Sequence, residues 1–253
     1  MEDEFIYWHH HTPVGIKVEE ISGMESKSGR IWEAMAKQIY CENGRDGYRD
    51  LGHFANGAPF LFGQTTRISL THTDHLLAVA TLPKTPEANL AQFAPRTALG
   101  IDAERTNRQQ VLKVRDRFLS DAEKELIPAE DIEANIIAWT AKEALYKAAM
   151  TEGLDLRTDI IIRQLPEIDH KMNLPGAPAP ILGKATLRLP NPNIAVTSTA
   201  EETTSPDRSV PKHLDNSVTE HEMELYSYLS EGETESYIVT IAYSPKCAKF
   251  GRH

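Results

Sequence analysis

Two short segments constrain this chain more than any other feature: LGIDAE, Leu99 to Glu104, and WTAKEALYK, Trp139 to Lys147. In the first, Leu99, Ile101 and Ala103 alternate with Gly100, Asp102 and Glu104. Period-two alternation predicts a strand with one apolar face and puts Asp102 and Glu104 together on the other. In the second, Trp139, Glu143 and Lys147 stand four apart. On a helix that spacing is one stripe, with Trp139 as its anchor and Glu143 and Lys147 pointing the same way.

The chemistry of that set is specific. Mg²⁺ prefers hard oxygen ligands, takes a few carboxylates and leaves its other positions to water and substrate phosphates. Asp102, Glu104 and Glu143 supply such ligands, and Lys147 supplies a cation that neutralises phosphate or a developing negative charge. The bland alternative for each segment alone is a strand end with two acids, and a helix with an ordinary exposed Glu-Lys pair.

The charge balance is uneven. The net charge is −10, yet residues 200–235 carry ten acids against two bases, which leaves −2 for the rest. Residues 105–124 hold six bases (Arg105, Arg108, Lys113, Arg115, Arg117, Lys124) against three acids. A basic patch there would steer an acidic partner; a solvated helix face is the equal alternative. An acidic chain whose bases are not interleaved with aromatics disfavours nucleic-acid binding. With 40% apolar and 25% charged residues the composition is that of a soluble globular protein. No apolar run is long enough to span a membrane. The acidic start MEDEFIYWHHH is unlike a secretory signal. Cys41 and Cys247 are too few for a disulfide scaffold, and they fit a reducing, cytoplasmic setting. Three adjacent histidines, His9 to His11, cannot all face one way, and read as surface.

The chain divides at about residue 97. The N-terminal half, 1–96, is expected to hold a strand at Phe5–Trp8 and a helix around Ser28–Tyr40. A loop over Arg45–Gly57 and strands at Arg67–Leu70 and Leu76–Leu82 follow. Lys84–Arg96 is an excursion. The C-terminal half, 97–253, opens with a strand at Thr97–Asp102. Ser120-Asp121-Ala122-Glu123 is a capping box that starts a helix near Asp121, interrupted by Pro128. A longer helix runs from Asp131 to Met150, with Gly153 as its stop. Strands follow at Asp159–Ile162, Ala185–Leu189 and Ser236–Ser244, the last paired as a hairpin with Glu224–Leu229. A segment at about 195–221, rich in Ser, Thr, Pro and acids, reads as a mobile insertion.

Five segments, in order, resemble those of the 4′-phosphopantetheinyl transferases. They are NGAPFL (Asn56–Leu61), ISLTHTDHLLAVA (Ile68–Ala80), LGIDAE, RDRFLSDAEKELI (Arg115–Ile127) and WTAKEALYK. Chain length and the early His motif are similar to the large, pseudo-dimeric type that activates many synthetase and synthase carrier proteins. The resemblance implies an α+β fold of two similar α/β halves about a pseudo-twofold axis, in a monomer. It implies transfer of the phosphopantetheine arm of coenzyme A to a serine of an apo acyl or peptidyl carrier protein, with release of 3′,5′-ADP. By the same resemblance Asp102, Glu104 and Glu143 hold Mg²⁺, Glu143 instead or also acts as general base, and Lys147 contacts phosphate. His72 contacts the 3′-phosphate of coenzyme A, and Thr71 supplies a neighbouring hydroxyl. One position departs from the pattern: the family lysine after Asn-Gly is Ala58 here, and Arg67, Arg45 and Arg49 are the bases available to replace it. The competing readings are a relative that binds carrier protein or nucleotide without transfer, and an unrelated Mg²⁺-dependent phosphohydrolase.

Overall fold

The computed structural model describes residues 6–7, 15–20, 51–61, 67–82, 98–170, 179–190, 218–232 and 234–244. In chain order the strands before residue 97 are β1 (Ile6–Tyr7), β2 (Gly15–Glu20), β3 (Leu51–His53), β4 (Pro59–Leu61), β5 (Arg67–His72) and β6 (Leu76–Leu82). After it come β7 (Leu99–Arg105), three helices, α1 (Gln110–Phe118), α2 (Asp121–Leu126) and α3 (Ile132–Ala149), and then β8 (Ile160–Gln164), β9 (Ile168–Asp169), β10 (Gly183–Pro190), β11 (Val218–Glu231) and β12 (Ser236–Tyr243). The result is a mixed α/β architecture. A four-stranded sheet runs β1-β2-β6-β5, a larger sheet runs β7-β12-β11-β10-β8 with β9 beside β11, and β3 pairs with β4.

The two faces of the larger sheet bury different partners. On one, Ile136, Ala141, Ala144, Leu145 and Ala148 of α3 pack with Phe118, Ile160, Leu187, Leu225 and Ile238. On the other, Leu99, Ile101 and Ala103 join Tyr226, Tyr228, Tyr237 and Tyr243 against Leu76, Ala78, Ala80 and Leu82 of β6. The alternation in LGIDAE is therefore expressed as expected: its apolar residues enter the tyrosine layer, and Gly100 faces α3. A Cβ on Gly100 would lie 1.8 Å from the Ala144 carbonyl oxygen. The glycine is needed for this close approach of backbone to backbone, which a side chain would forbid.

Each helix end has a chemical cause. Asp131 caps α3 by accepting from the Ala134 amide at 2.9 Å. Ser120 and Glu123 form the expected reciprocal capping box on α2. The Trp139 ring meets Phe118 edge-on at 5.1 Å, which anchors α3 on α1. Helix α3 ends at Ala149, within a residue of the expected end; Met150 takes the left-handed conformation at φ 50°, and Gly153 is left-handed as well, at φ 75°. Three donors make that stop possible. Asn56 Nδ2 reaches the Met150 carbonyl at 2.7 Å, Thr151 Oγ1 the Ala149 carbonyl at 3.0 Å, and Arg67 Nη2 the Ala148 carbonyl at 3.4 Å.

Glu123 does more than cap. Its Oε1 accepts from the Ile162 amide at 2.7 Å and pairs with Lys142 Nζ, which also donates to the carbonyls of Leu156 and Ile160. Both side chains are essentially inaccessible. Burial pushes the Lys142 amine down, opposed by the Glu123 charge. The pair occupies the backbone groups of β8, an end strand of the larger sheet, and so serves where another strand would.

Several expectations are corrected. Arg45–Gly57 is not all loop, since Leu51–His53 pairs with Pro59–Leu61 through a turn at Gly57, φ 77°. Val218–His221, taken with the insertion, belongs to β11, where β10 pairs with it throughout. Gln110–Phe118 is helical. Arg115 of the basic patch turns inward, its Nε donating to Asn135 Oδ1 at 2.9 Å and its Nη2 to the carbonyls of Lys124 and Ile127. The expected helix at 28–40, Arg45, Arg49, the three histidines, both cysteines, residues 84–96 and residues 195–217 lie outside the described residues. Among the described residues no helix is long and apolar enough to cross a membrane.

Two substitutions test this packing. Gly100→Ala should destabilise the chain by about 2 kcal/mol or more, because neither backbone can yield; a denaturant midpoint at the wild-type value would contradict the contact. Lys142→Met should cost about 3–5 kcal/mol by leaving Glu123 buried and uncompensated, and equilibrium unfolding in urea measures it.

Candidate functional site

Strands β5 and β7 lie at the ends of their two sheets and meet through side chains rather than a ladder. Ile101 turns its amide toward Ser69, whose Oγ accepts at 3.1 Å. The Ile101 carbonyl accepts from Lys147 Nζ at 3.0 Å. The next residue, Asp102, is thereby carried into the seam. Its Oδ1 accepts from Thr71 Oγ1 at 2.9 Å and from Lys147 Nζ at 2.7 Å. The Asp102 carboxylate is 12% exposed and Lys147 32%, so water reaches this pair from the lysine side.

Glu143, one turn before Lys147 on α3, is half-buried. Desolvation raises its pKa above the ordinary 4.5, the Asp102 charge raises it further, and Lys147 partly offsets both. The two carboxyls therefore feel one another across the seam. Glu104 is buried by its own partners: Oε2 pairs with Arg108 Nη1, and Oε1 accepts from the Arg105 amide at 3.0 Å. Of the expected ligands, Asp102 and Glu143 are electrostatically coupled, and Glu104 is engaged by Arg108. Among the described residues, no group of three His, Cys, Asp or Glu side chains is drawn close enough to hold a metal ion. The donors are nevertheless of the right type, hard carboxylate oxygens in a crowded acidic seam, and the cations on them here are Lys147 and Arg108.

The remaining expected residues spread over two sides. Thr71 and His72 are successive in β5 and point to opposite faces. Thr71 is buried and donates its hydroxyl hydrogen to Asp102. His72 is exposed. Arg67 and Lys147 both line a cavity of about 540 Å³ between the β3–β4 turn, β5 and the end of α3. Asn56, Ala58, Ser69, Tyr146 and Met150 are also in its wall. Lys147 thus belongs to both the cavity and the acidic seam.

Three functional placements escaped the sequence reading. Ser69 holds β7, Asn56 holds the β3–β4 turn to α3, and Arg108 covers Glu104. Only the last had a usable signal, an acid and a base four apart; the other two partners are distant in sequence.

The segment from Ala98 to Thr186 carries β7, the three helices, β8, β9 and the first half of β10. Residues 98–186 match the family model of the 4′-phosphopantetheinyl transferase superfamily. No curated protein gives a significant match to the chain. The matched residues include Asp102, Glu104, Glu143 and Lys147, whereas Thr71, Arg67 and His72 lie upstream of them. The superfamily is one of transferases, and its chemistry is phosphopantetheine transfer.

The raised Glu143 pKa sets a pH dependence. The folded chain keeps a proton on Glu143 in a range where the unfolded chain has released it, so this residue's contribution to stability falls as pH rises above about 4.5. Glu143→Gln removes that loss. Its melting temperature should match wild type near pH 4 and exceed it increasingly toward pH 7, as read by thermal melts across that range. A difference independent of pH would contradict the assigned shift.

Proposed function

We propose that the chain transfers the 4′-phosphopantetheine arm of coenzyme A to a serine of an apo acyl or peptidyl carrier protein and releases 3′,5′-ADP. The observation that carries this reading is Lys147. It links the Asp102 carboxylate to a cavity large enough for a nucleotide fragment, and it does so inside the segment that matches the transferase superfamily.

In this reading the cavity takes the anionic end of coenzyme A. Arg67 and Lys147 give its wall two cations, and Arg67 stands in for the family lysine replaced by Ala58. His72 contacts the 3′-phosphate. Thr71 holds Asp102 in the seam. Asp102, Glu104 and Glu143 would hold a divalent cation, with Glu104 exchanging Arg108 for it; Mg²⁺ would supply charge neutralisation at the pyrophosphate. Glu143 is suited to take the serine proton because its raised pKa makes it a better base than an exposed glutamate. Lys147 offsets negative charge on the leaving phosphate. The reading extends to a monomer of two related halves, 1–96 and 97–253, working in the cytoplasm.

The test is intact mass spectrometry of several apo carrier proteins incubated with coenzyme A, Mg²⁺ and the chain. One carrier should gain the mass of a single phosphopantetheine arm. No gain on any carrier would overturn the proposal. Asp102→Asn preserves the Thr71 hydrogen bond but removes the charge, and should lower transfer about 100-fold or more while the far-ultraviolet spectrum stays that of wild type.

A further inference from the structure

Residues 73–75 join β5 to β6 directly after His72. Thr73 holds this turn from within: its hydroxyl accepts from the amides of His75 at 3.3 Å and Leu76 at 3.0 Å, and its amide donates to the Leu76 carbonyl at 2.8 Å. From outside the turn is held by Arg105, the last residue of β7. Arg105 Nη2 donates to Asp74 Oδ2 at 3.1 Å, and Nε donates to Glu235 Oε2 at 2.9 Å. Glu235 sits in the turn between β11 and β12, and the same oxygen accepts from the Tyr237 hydroxyl at 2.8 Å. One guanidinium therefore ties two hairpin turns from two different sheets, one residue beyond Glu104.

This arrangement adds little stability. Asp74 is 75% exposed and Arg105 30%, and such pairs are largely solvated. What the guanidinium fixes is direction, because its planar fork serves two carboxylates at set angles and a lysine cannot. His72 is the last residue of β5 and directly precedes the turn that Arg105 holds, so a displacement of that turn moves the backbone that carries it.

We propose that Arg105 is a positioning residue: by clamping the β5–β6 turn to the β11–β12 turn, it presents His72 to a phosphate of the bound nucleotide. The proposal rests on the transferase reading above.

The experiment compares the full chain with Arg105→Ala, Arg105→Lys and Asp74→Ala. It measures 3′,5′-ADP binding by calorimetry, KM and kcat for coenzyme A, and the His72 imidazole resonances. Arg105→Ala should bind 3′,5′-ADP about fivefold or more weakly and raise KM similarly, with kcat within about twofold of wild type. The His72 resonances should move, Arg105→Lys should not restore them, and Asp74→Ala should act in the same direction. Wild-type affinity in Arg105→Ala, or unmoved His72 resonances, would overturn the positioning role. A wild-type chain that binds no 3′,5′-ADP would overturn the transferase reading itself, an outcome distinct from a working wild type that tolerates Arg105→Ala.

Discussion

The close seating of α3 on β7 is the constraint on which the site depends. A helix normally stands off a sheet by the depth of its side chains. Here Gly100 removes one of those side chains, and the Ala144 carbonyl fills the space a Cβ would need. The small residues Ala141, Ala144 and Ala148 keep the same face of α3 shallow. Only at that separation can Lys147 reach both the Ile101 carbonyl and the Asp102 carboxylate from one ammonium. A bulkier residue at 100 would lift the helix and part the lysine from the acid, so packing and chemistry are set by the same contact.

Helix α3 also serves the two end strands of the larger sheet, β7 and β8, on the side away from their paired neighbours. Lys147 and Ser69 satisfy the Ile101 backbone on β7, while Lys142 and Glu123 satisfy Ile160 and Ile162 on β8. The two lysines are five residues apart on one helix yet differ in burial. Lys142 is sealed and makes three partners, which suits a structural role. Lys147 is a third exposed and borders a cavity, which suits exchange of one anionic partner for another. Sequence spacing alone could not separate these roles, since both lysines stand in the same segment and both lie near an acid.

What the sequence revealed was local. The period-two face of Leu99–Glu104, the capping box at Ser120 and the extent of α3 each follow from residues within a few positions of one another, and each is present. What it did not reveal depends on distant partners. The end of α3 was legible, but the donors that satisfy its last carbonyls, Asn56, Arg67 and Thr151, were not. The basic count over 105–124 suggested a steering surface, yet Arg115 supports the 124–135 connection and Arg108 covers Glu104. The hydrogen bond from Thr71 to Asp102 joins residues 31 apart in sequence, and no local pattern announced it. A residue type predicts what a group can bond, and the fold decides which partner it meets first.

That priority of partners bears on the electrostatics of the seam. Three carboxyls, Asp102, Glu104 and Glu143, face two cations, Lys147 and Arg108. Burial is the first reason the Glu143 pKa rises, the Asp102 charge adds to it, and Lys147 opposes both. An incoming phosphate would compete with Asp102 for Lys147 and leave the acids less compensated. A positive charge arriving with the phosphate would restore the balance and return Glu143 toward its ionised form. Under the proposed reading, anion and cation binding would therefore be coupled through one ammonium, and by linkage each would favour the other equally.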